Sequence, residues 1–310
     1  MANVAQVLAD GLVFSCIIIL GAIGLSLIYS IADFANFAHG DLMTVGAFGA
    51  LVGATELAKV LPGESIVFFE LPLSLYGGLV IGMAVAAAVA LITERLIYRP
   101  LSDAGSIELL ITSIGIALAY RAIIQLGFGA DQERYDFSSQ GPIDWLLELT
   151  QGIGGVALTQ RDVIILVFTI LLVAGLHALL QYTTLGRKMR ATADNPNLAR
   201  VSGIRTREVV LAMWIIGGAL AAAGGIFLGI DTLVRPRMGF DLLLVVFAAV
   251  ILGGIGSVYG AMLGGLVIGM AHEMTILVPF VPVEYAPAVA FALMIIILLV
   301  RPQGIMGEAV

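Results

Sequence analysis

The sequence predicts an all-α integral membrane protein, a bundle of about eight or nine transmembrane helices with a short helix on the cytoplasmic side. Three observations lead there. The chain of 310 residues is 60% hydrophobic and only 12% charged, with mean hydropathy +1.06, whereas soluble domains carry about 25% charged residues. Several apolar runs approach or exceed the ~20 residues needed to cross ~30 Å of hydrocarbon. The ~10-residue alternating segments of a transmembrane barrel are absent.

Apolar runs fall near 11–31, 40–58, 73–93, 107–127, 162–181, 208–230, 242–256, 260–278 and 285–300. The last three are short or interrupted by Gly and Pro. One of them is therefore expected to be broken or re-entrant, a form tolerated only where protein or a water-lined path surrounds it. The chain reads as one transmembrane domain, 1–310. Cys16 is the single cysteine, so no disulfide forms within the chain, and the thiol reads as a small core residue. The first ten residues hold no basic residue, so a cleavable secretory leader is not expected and the first span directs insertion.

Lys and Arg set the orientation. The stretch 182–208 holds six of the fifteen basic residues: Arg187, Lys188, Arg190, Arg200, Arg205 and Arg207. Arg95 and Arg99 lie in 94–106, and Arg301 follows the last run. These three segments read as cytoplasmic. Loop 128–161 carries five acids (Asp131, Glu133, Asp136, Asp144, Glu148) against two arginines, which places it outside. Alternation then puts the N-terminus outside and the C-terminus inside.

The polar stretch also carries the punctuation of a helix. Asn195 can cap free N–H groups, and Pro196 suits a first helical turn. Gly203 can take the left-handed stop. Pro196 to Ser202 is about two turns, or ~10 Å, too short to cross a bilayer or to stand alone in water. An ordinary basic loop that only fixes topology would explain the charge, but it has no use for the cap, helix and stop. A docking knob explains both.

Glycine is abundant, with 37 residues against ~7% in average proteins. Spacings such as Gly49/Gly53, Gly78/Gly82 and Gly225/Gly229 suit close helix approach in lipid. The cluster Gly253, Gly254, Gly256, Gly260, Gly264 and Gly265 would weaken a plain helix, so a break or sharp turn is expected there. Intramembrane ionisable groups are expensive. Asp33, His39 and Asp41 flank the first hairpin and read as solvated at the cytoplasmic interface. Asn36 and His39, with Phe34 and Phe37, are placed to line an inner mouth or to cap the next helix. Arg121 is read as snorkelling near the outer end of its span, and His177 as interfacial. His272–Glu273 is read as a deeper polar contact between spans. No second histidine follows His272–Glu273 at helical spacing, and no Gly-Lys-Ser/Thr phosphate loop is present, so neither a metalloprotease nor an ATPase is expected.

Five segments in order carry a resemblance. They are GLSLIYSIADFANFAHGDLMTVGAF (24–48), ITERLIYRPL (92–101), TTLGRKMRATADNPNLARVSGI (183–204), FAAVILGGIGSVYGAMLGGLVIG (247–269) and RPQGIMG (301–307). Together they resemble the permease subunits of ABC importers for branched-chain amino acids, the LivH-like permeases, over nearly the whole chain. Permeases for urea and short amides are similar. The resemblance implies a multi-pass permease of the bacterial inner membrane, with no enzyme activity, cofactor, metal or nucleic acid. It implies a second, related permease (a heterodimer), two cytoplasmic ATPases and a periplasmic substrate-binding protein.

Loop 182–208 would hold the coupling helix in a cleft of the ATPase. Gly186, Arg190, Ala191, Asn195, Ala199 and Gly203 match the family pattern, and Asp194 and Pro196 complete the set. Ala199 is expected to face that cleft. Asn36, Phe37, His39 and Gly40, with Gly253, Gly254, Gly256 and Gly260, are expected along the translocation path. An ion-coupled secondary transporter remains the rival. It would want a buried charged pair, and the sequence offers few deep acids beyond Glu273 and Glu56.

Overall fold

The computed structural model describes residues 3–60, 72–135, 141–153, 155–278 and 281–307. Every predicted apolar run is a helix. In chain order these are α1 (Val4–Ala32), α2 (Ala38–Val60), α3 (Leu73–Thr93, prolonged by a π turn over Glu94–Tyr98) and α4 (Ser106–Phe128). A short α5 (Asp144–Leu149) lies in the loop before α6 (Gln160–Tyr182). Then come α7 (Thr184–Asp194), α8 (Pro196–Val201), α9 (Thr206–Asp231), α10 (Met238–Gly253), α11 (Val258–Met274) and α12 (Ala286–Val300). Seven of these are long and apolar enough to cross a membrane; α10 and α12 are shorter, at 16 and 15 residues. Extended backbone pairs at the bridge between Glu133 and Val234. Asp136 lies outside the described residues.

Helix α1 is apolar around its circumference, the pattern of a helix with no solvent face. Buried positions make up 89% of its apolar window, against 28% for α4 and for α6. It is the axis of the bundle. Helix α9 runs antiparallel to it, Gly24 of α1 lying against Gly217 and Ile17 against Gly224. Helix α11 runs antiparallel along another side, with Ser15 against Gly269 and Ile19 against Gly265. A Cβ at Gly225 would overlap the Met43 carbonyl of α2, and one at Gly264 the Ala249 carbonyl of α10. Bare backbone at these crossings lets dispersion act over the shortest distances, the main attraction between helices in lipid.

The largest discontinuity falls outside the last three runs, where it was expected. Asp33 ends α1 in the left-handed region (φ 54°), and the chain then doubles back without helix over residues 34–37. Helix α2 starts beside the middle of α1, because His39 Nε2 donates to the Gly21 carbonyl at 2.9 Å. Gly21 lies twelve residues before Asp33, or about 18 Å at 1.5 Å per residue. Non-helical backbone at such depth survives only if the protein satisfies its polar groups. Here the Phe37 N–H donates to Ser113 Oγ (3.0 Å) and the Ala38 N–H to Asn36 Oδ1 (3.0 Å).

The glycine cluster does make a sharp turn. It joins α10 to α11 through Gly254 (φ 107°) and Gly256 (φ 84°), with Ser257 capping α11 by accepting from the Gly260 N–H at 3.1 Å. The 301–307 segment docks on this turn. Ile305 N–H donates to the Leu252 carbonyl (2.8 Å) and Met306 N–H to that of Gly253 (2.9 Å). These carbonyls are acceptors that the end of α10 would otherwise leave unpaired.

Candidate functional site

Two constellations were expected; the residues of the first lie together, and those of the second do not. At the basic end of the bundle, Thr183 separates α6 from α7 and caps α7 by accepting from the Gly186 N–H at 3.0 Å. A side chain at Gly186 would overlap the Leu179 and Leu180 carbonyls, so only glycine permits this tight elbow. Arg190 closes it, donating from Nη1 to the Leu180 carbonyl and, at 3.3 Å, to Gln181 Oε1. A guanidinium suits the negative end of α6. Gly186, Met189 and Thr192 form the buried face of α7. Ala191 is half-buried, and Asp194 is exposed.

Helix α8 has the predicted caps. Asn195 Oδ1 accepts from the Leu198 N–H at 2.9 Å, and Pro196 opens the helix. At its end the Ile204 N–H reaches the Ala199 carbonyl and the Gly203 N–H that of Arg200, both at 3.0 Å. With Gly203 at φ 83°, this is a Schellman stop.

The expected role of Ala199 is corrected. It is 3% exposed and faces its own chain, whereas Leu198 is 63% and Val201 87% exposed. Three residues apart, the latter share the outer face of the helix. A small residue is what the crowded inner face requires; an exposed apolar pair in a polar stretch was the sequence signal for the outer one.

The second constellation divides in two. Asn36, Phe37, His39 and Gly40 gather at the start of α2, mid-bundle. Gly253, Gly254, Gly256 and Gly260 lie at the basic end, where a Cβ at Gly256 would come 4.0 Å from Ser30. Ser30 is nine residues along α1 from Gly21, about 14 Å away. The glycine turn adjoins the α6–α7 elbow instead. One cleft of 290 Å³ is lined by Arg190, Asp194, Gly256 and Tyr259. His177 Nδ1 and Gln181 Nε2 of α6 both meet the Tyr259 hydroxyl at 2.9 Å. His272 lies in the last turn of α11, against the Phe14 ring (4.6 Å) and Glu273 (3.2 Å).

Of the two roles expected for Asn36, lining an inner mouth or capping the next helix, its side chain takes the second, accepting from the Ala38 N–H. Its Oδ1 also accepts from the Tyr98 hydroxyl at 3.1 Å. His39 is fully buried between α1 and α2 and lines no mouth. Asp33 is exposed, but Asp41 is corrected from solvated to fully buried. It binds Arg121 of α4 with both oxygens, at 3.1 Å to Nε and 3.0 Å to Nη2. Arg121 therefore does not snorkel. Its Cζ also lies 4.5 Å from the Phe240 ring of α10, a cation–π geometry. Glu56, by contrast, is exposed and pairs with Lys59. The deep charged pair is thus Asp41–Arg121, tying α2, α4 and α10 together. No sequence spacing announces it, since the partners are 80 residues apart.

The family model described as "Branched-chain amino acid transport system / permease component" matches residues 7–298. The high-affinity branched-chain amino acid transport system permease protein BraD of Pseudomonas aeruginosa is 32% identical over 304 residues, covering 98% of this chain and 95% of that protein. LivH of Escherichia coli K12 is 30% identical over 306 residues with the same coverage. A probable LivH of Methanocaldococcus jannaschii is 28% identical over 310 residues, covering 97% and 92%. The match runs from α1 into α12 and includes the elbow, the capped two-turn helix and the glycine turn, and the chain belongs to the family of branched-chain amino acid transport permeases.

Proposed function

We propose that this chain is the permease subunit of an ATP-driven ABC importer, carrying branched-chain or other small amino acids across the inner (plasma) membrane by alternating access. The whole chain acts as one permease domain, with the basic end cytoplasmic and the 128–161 loop outside. Two ATPases, a periplasmic binding protein and a second, related permease complete the importer. The observation that carries the reading is the exposed Leu198–Val201 pair on a helix fixed at both ends. Arg190 and Gly186 lock α7 onto α6, and the Schellman stop leads within three residues into α9. A push on α8 therefore reaches two spans without being absorbed by a slack loop.

ATP-driven closure of the ATPases moves α8 as a lever, and α6 and α9 tilt with it. The backbone-to-backbone crossings of α9 leave few interdigitated side chains to disengage. Leu198→Ser with Val201→Ser removes the apolar contact and should abolish co-purification of the ATPases. Ala199→Trp should weaken it indirectly, by forcing α8 off its seat. Arg200→Ala should matter little, since an exposed charge pair contributes about 0–1 kcal/mol. Vesicles bearing the complete importer should accumulate leucine with ATP and not with an ion gradient. Gradient-driven uptake without ATP would sink the reading, and uptake of urea or short amides in place of leucine would move the substrate class.

A further inference from the structure

A second cleft opens at the basic end, between the π turn that ends α3, the start of α4, and the start of α9. It measures 350 Å³ and takes in Arg99, Arg200, Arg207 and Glu94 at its polar wall. Its floor is aromatic. Tyr98 stacks on Trp214 with centroids 5.0 Å apart and planes 11° from parallel, and Phe34 lies 5.1 Å from Tyr98.

Some of the other cations near this end are engaged, although among the described residues Arg95, Arg187 and Arg301 enter no ion pair. Arg190 holds the α6 carbonyl, and Lys188 and Arg205 share Glu208. Among the described residues Arg99 and Arg207 enter no ion pair, and Arg200 has only a 3.3 Å hydrogen bond to Thr206. Glu94, although 6% exposed, pairs with none of them. Three arginines and one carboxylate thus line this space, and among the described residues none of the three arginines is ion-paired.

From this geometry we infer that the cleft binds one phosphate group, carried by a phospholipid headgroup or free in solution. Guanidinium forks match phosphate oxygens in pairs. The height fits as well. Arg99 immediately follows the Leu73–Tyr98 span, and Arg207 is the second residue of the Thr206–Asp231 span, so both stand where apolar helix gives way to water. Basic pockets between spans at that level attract anionic headgroups, and aromatic rings favour the same layer. The mixed wall accommodates an amphiphile, with the exposed arginines for the phosphate and the half-buried Ile31, Ala32 and Val210 for the first methylenes. The inference needs the basic end to lie at a headgroup layer and does not depend on the transported substrate.

The test uses the importer purified with its partners, exchanged into detergent and examined by native mass spectrometry after addition of phosphatidylglycerol or phosphatidylcholine. Wild type should retain phosphatidylglycerol in preference. The Arg99→Gln/Arg207→Gln variant should retain it about tenfold less or lower still, with ATPase co-purification unchanged. A parallel phosphorus NMR titration with inorganic phosphate separates the sources. Phosphate binding without lipid retention assigns the site to the free ion, and lipid retention that phosphate fails to displace assigns it to the headgroup. Absence of both in wild type overturns the inference, with no variant needing to fold. It is equally overturned if the double variant keeps the lipid but loses the ATPases, which would make the cleft a protein contact. Retention is read without transport, so a failed uptake assay leaves this result standing by itself.

Discussion

At residues 33–37 and again at 254–257 the chain leaves helical geometry, and different chemistry holds each break. The first is held by side chains. Asn36 caps α2, Ser113 receives the Phe37 N–H, and Asp41 is fixed by Arg121. The second is held mainly by backbone groups, with Ser257 capping α11. Two left-handed glycines turn the chain, and the 301–307 segment supplies N–H donors to the exposed end of α10. A side-chain-held break is specific but depends on partners far along the chain. A glycine-held break needs no distant side chain, only the backbone of 301–307, and its weakness is crowding. Substitutions at the two should therefore fail for opposite reasons, one by loss of a partner and the other by gain of volume.

The largest effect is expected at the ion pair. Asp41→Ala leaves the Arg121 guanidinium, 14% exposed, without its carboxylate. Removing one member of a buried pair costs about 3–5 kcal/mol. Asp41→Leu combined with Arg121→Met should recover most of that, because neither charge is then stranded. Chemical unfolding in detergent micelles would measure both. An Asp41→Ala protein as stable as wild type would show that the first break is not held from this side.

Next comes Gly264→Leu. Its Cβ would overlap the Ala249 carbonyl, and a rigid backbone cannot yield as a flexible side chain can. Overpacking of this kind costs roughly 1–3 kcal/mol, and more where nothing gives way, so the same unfolding assay should place it near or above the top of that range. Gly256 poses a different problem: space is open, with Ser30 no nearer than 4.0 Å, but φ is 84°. Gly256→Leu should cost about 1–2 kcal/mol from left-handed strain, and Gly256→Asn less, since Asn tolerates that region. Equal losses for Leu and Asn at Gly256 would mean that volume, not torsion, decides there too.

The legible parts of the molecule share one property with the glycines of the second break: their causes are local. Nine apolar runs became nine helices among the described residues, and Asn195, Pro196 and Gly203 each occupied the position their chemistry suits. Helix α7 escaped notice because its buried face is Gly186, Met189 and Thr192, in which only one residue is strongly apolar. Arg121 was misread because its place along α4 suggests an interface. Its true depth follows from where α2 begins, and that follows from residues 34–37 being satisfied by Ser113 and Asn36. The family pattern points Ala199 outward, although Leu198 and Val201 beside it carry the exposed apolar surface.

The smallest effect offers the finest discrimination. Tyr98→Phe removes one hydroxyl and nothing else from the first break, since the ring can keep its stack on Trp214 and its contact with Phe34. Asn36 Oδ1 retains the Ala38 N–H, so no acceptor is orphaned, and the loss should be the net worth of one hydrogen bond, about 0.5–1.5 kcal/mol. Asn36→Ala should cost more. It deletes the cap, typically ~1 kcal/mol, and also strands the Tyr98 hydroxyl, which burial holds away from water. If α2 is positioned from the π turn through this contact, Tyr98→Phe should also raise amide exchange at Phe37 to Asp41 while leaving the 254–257 turn unchanged. Equal exchange at both breaks would mean that the hydroxyl only adds stability, and that Asn36 sets the start of α2 without help from α3.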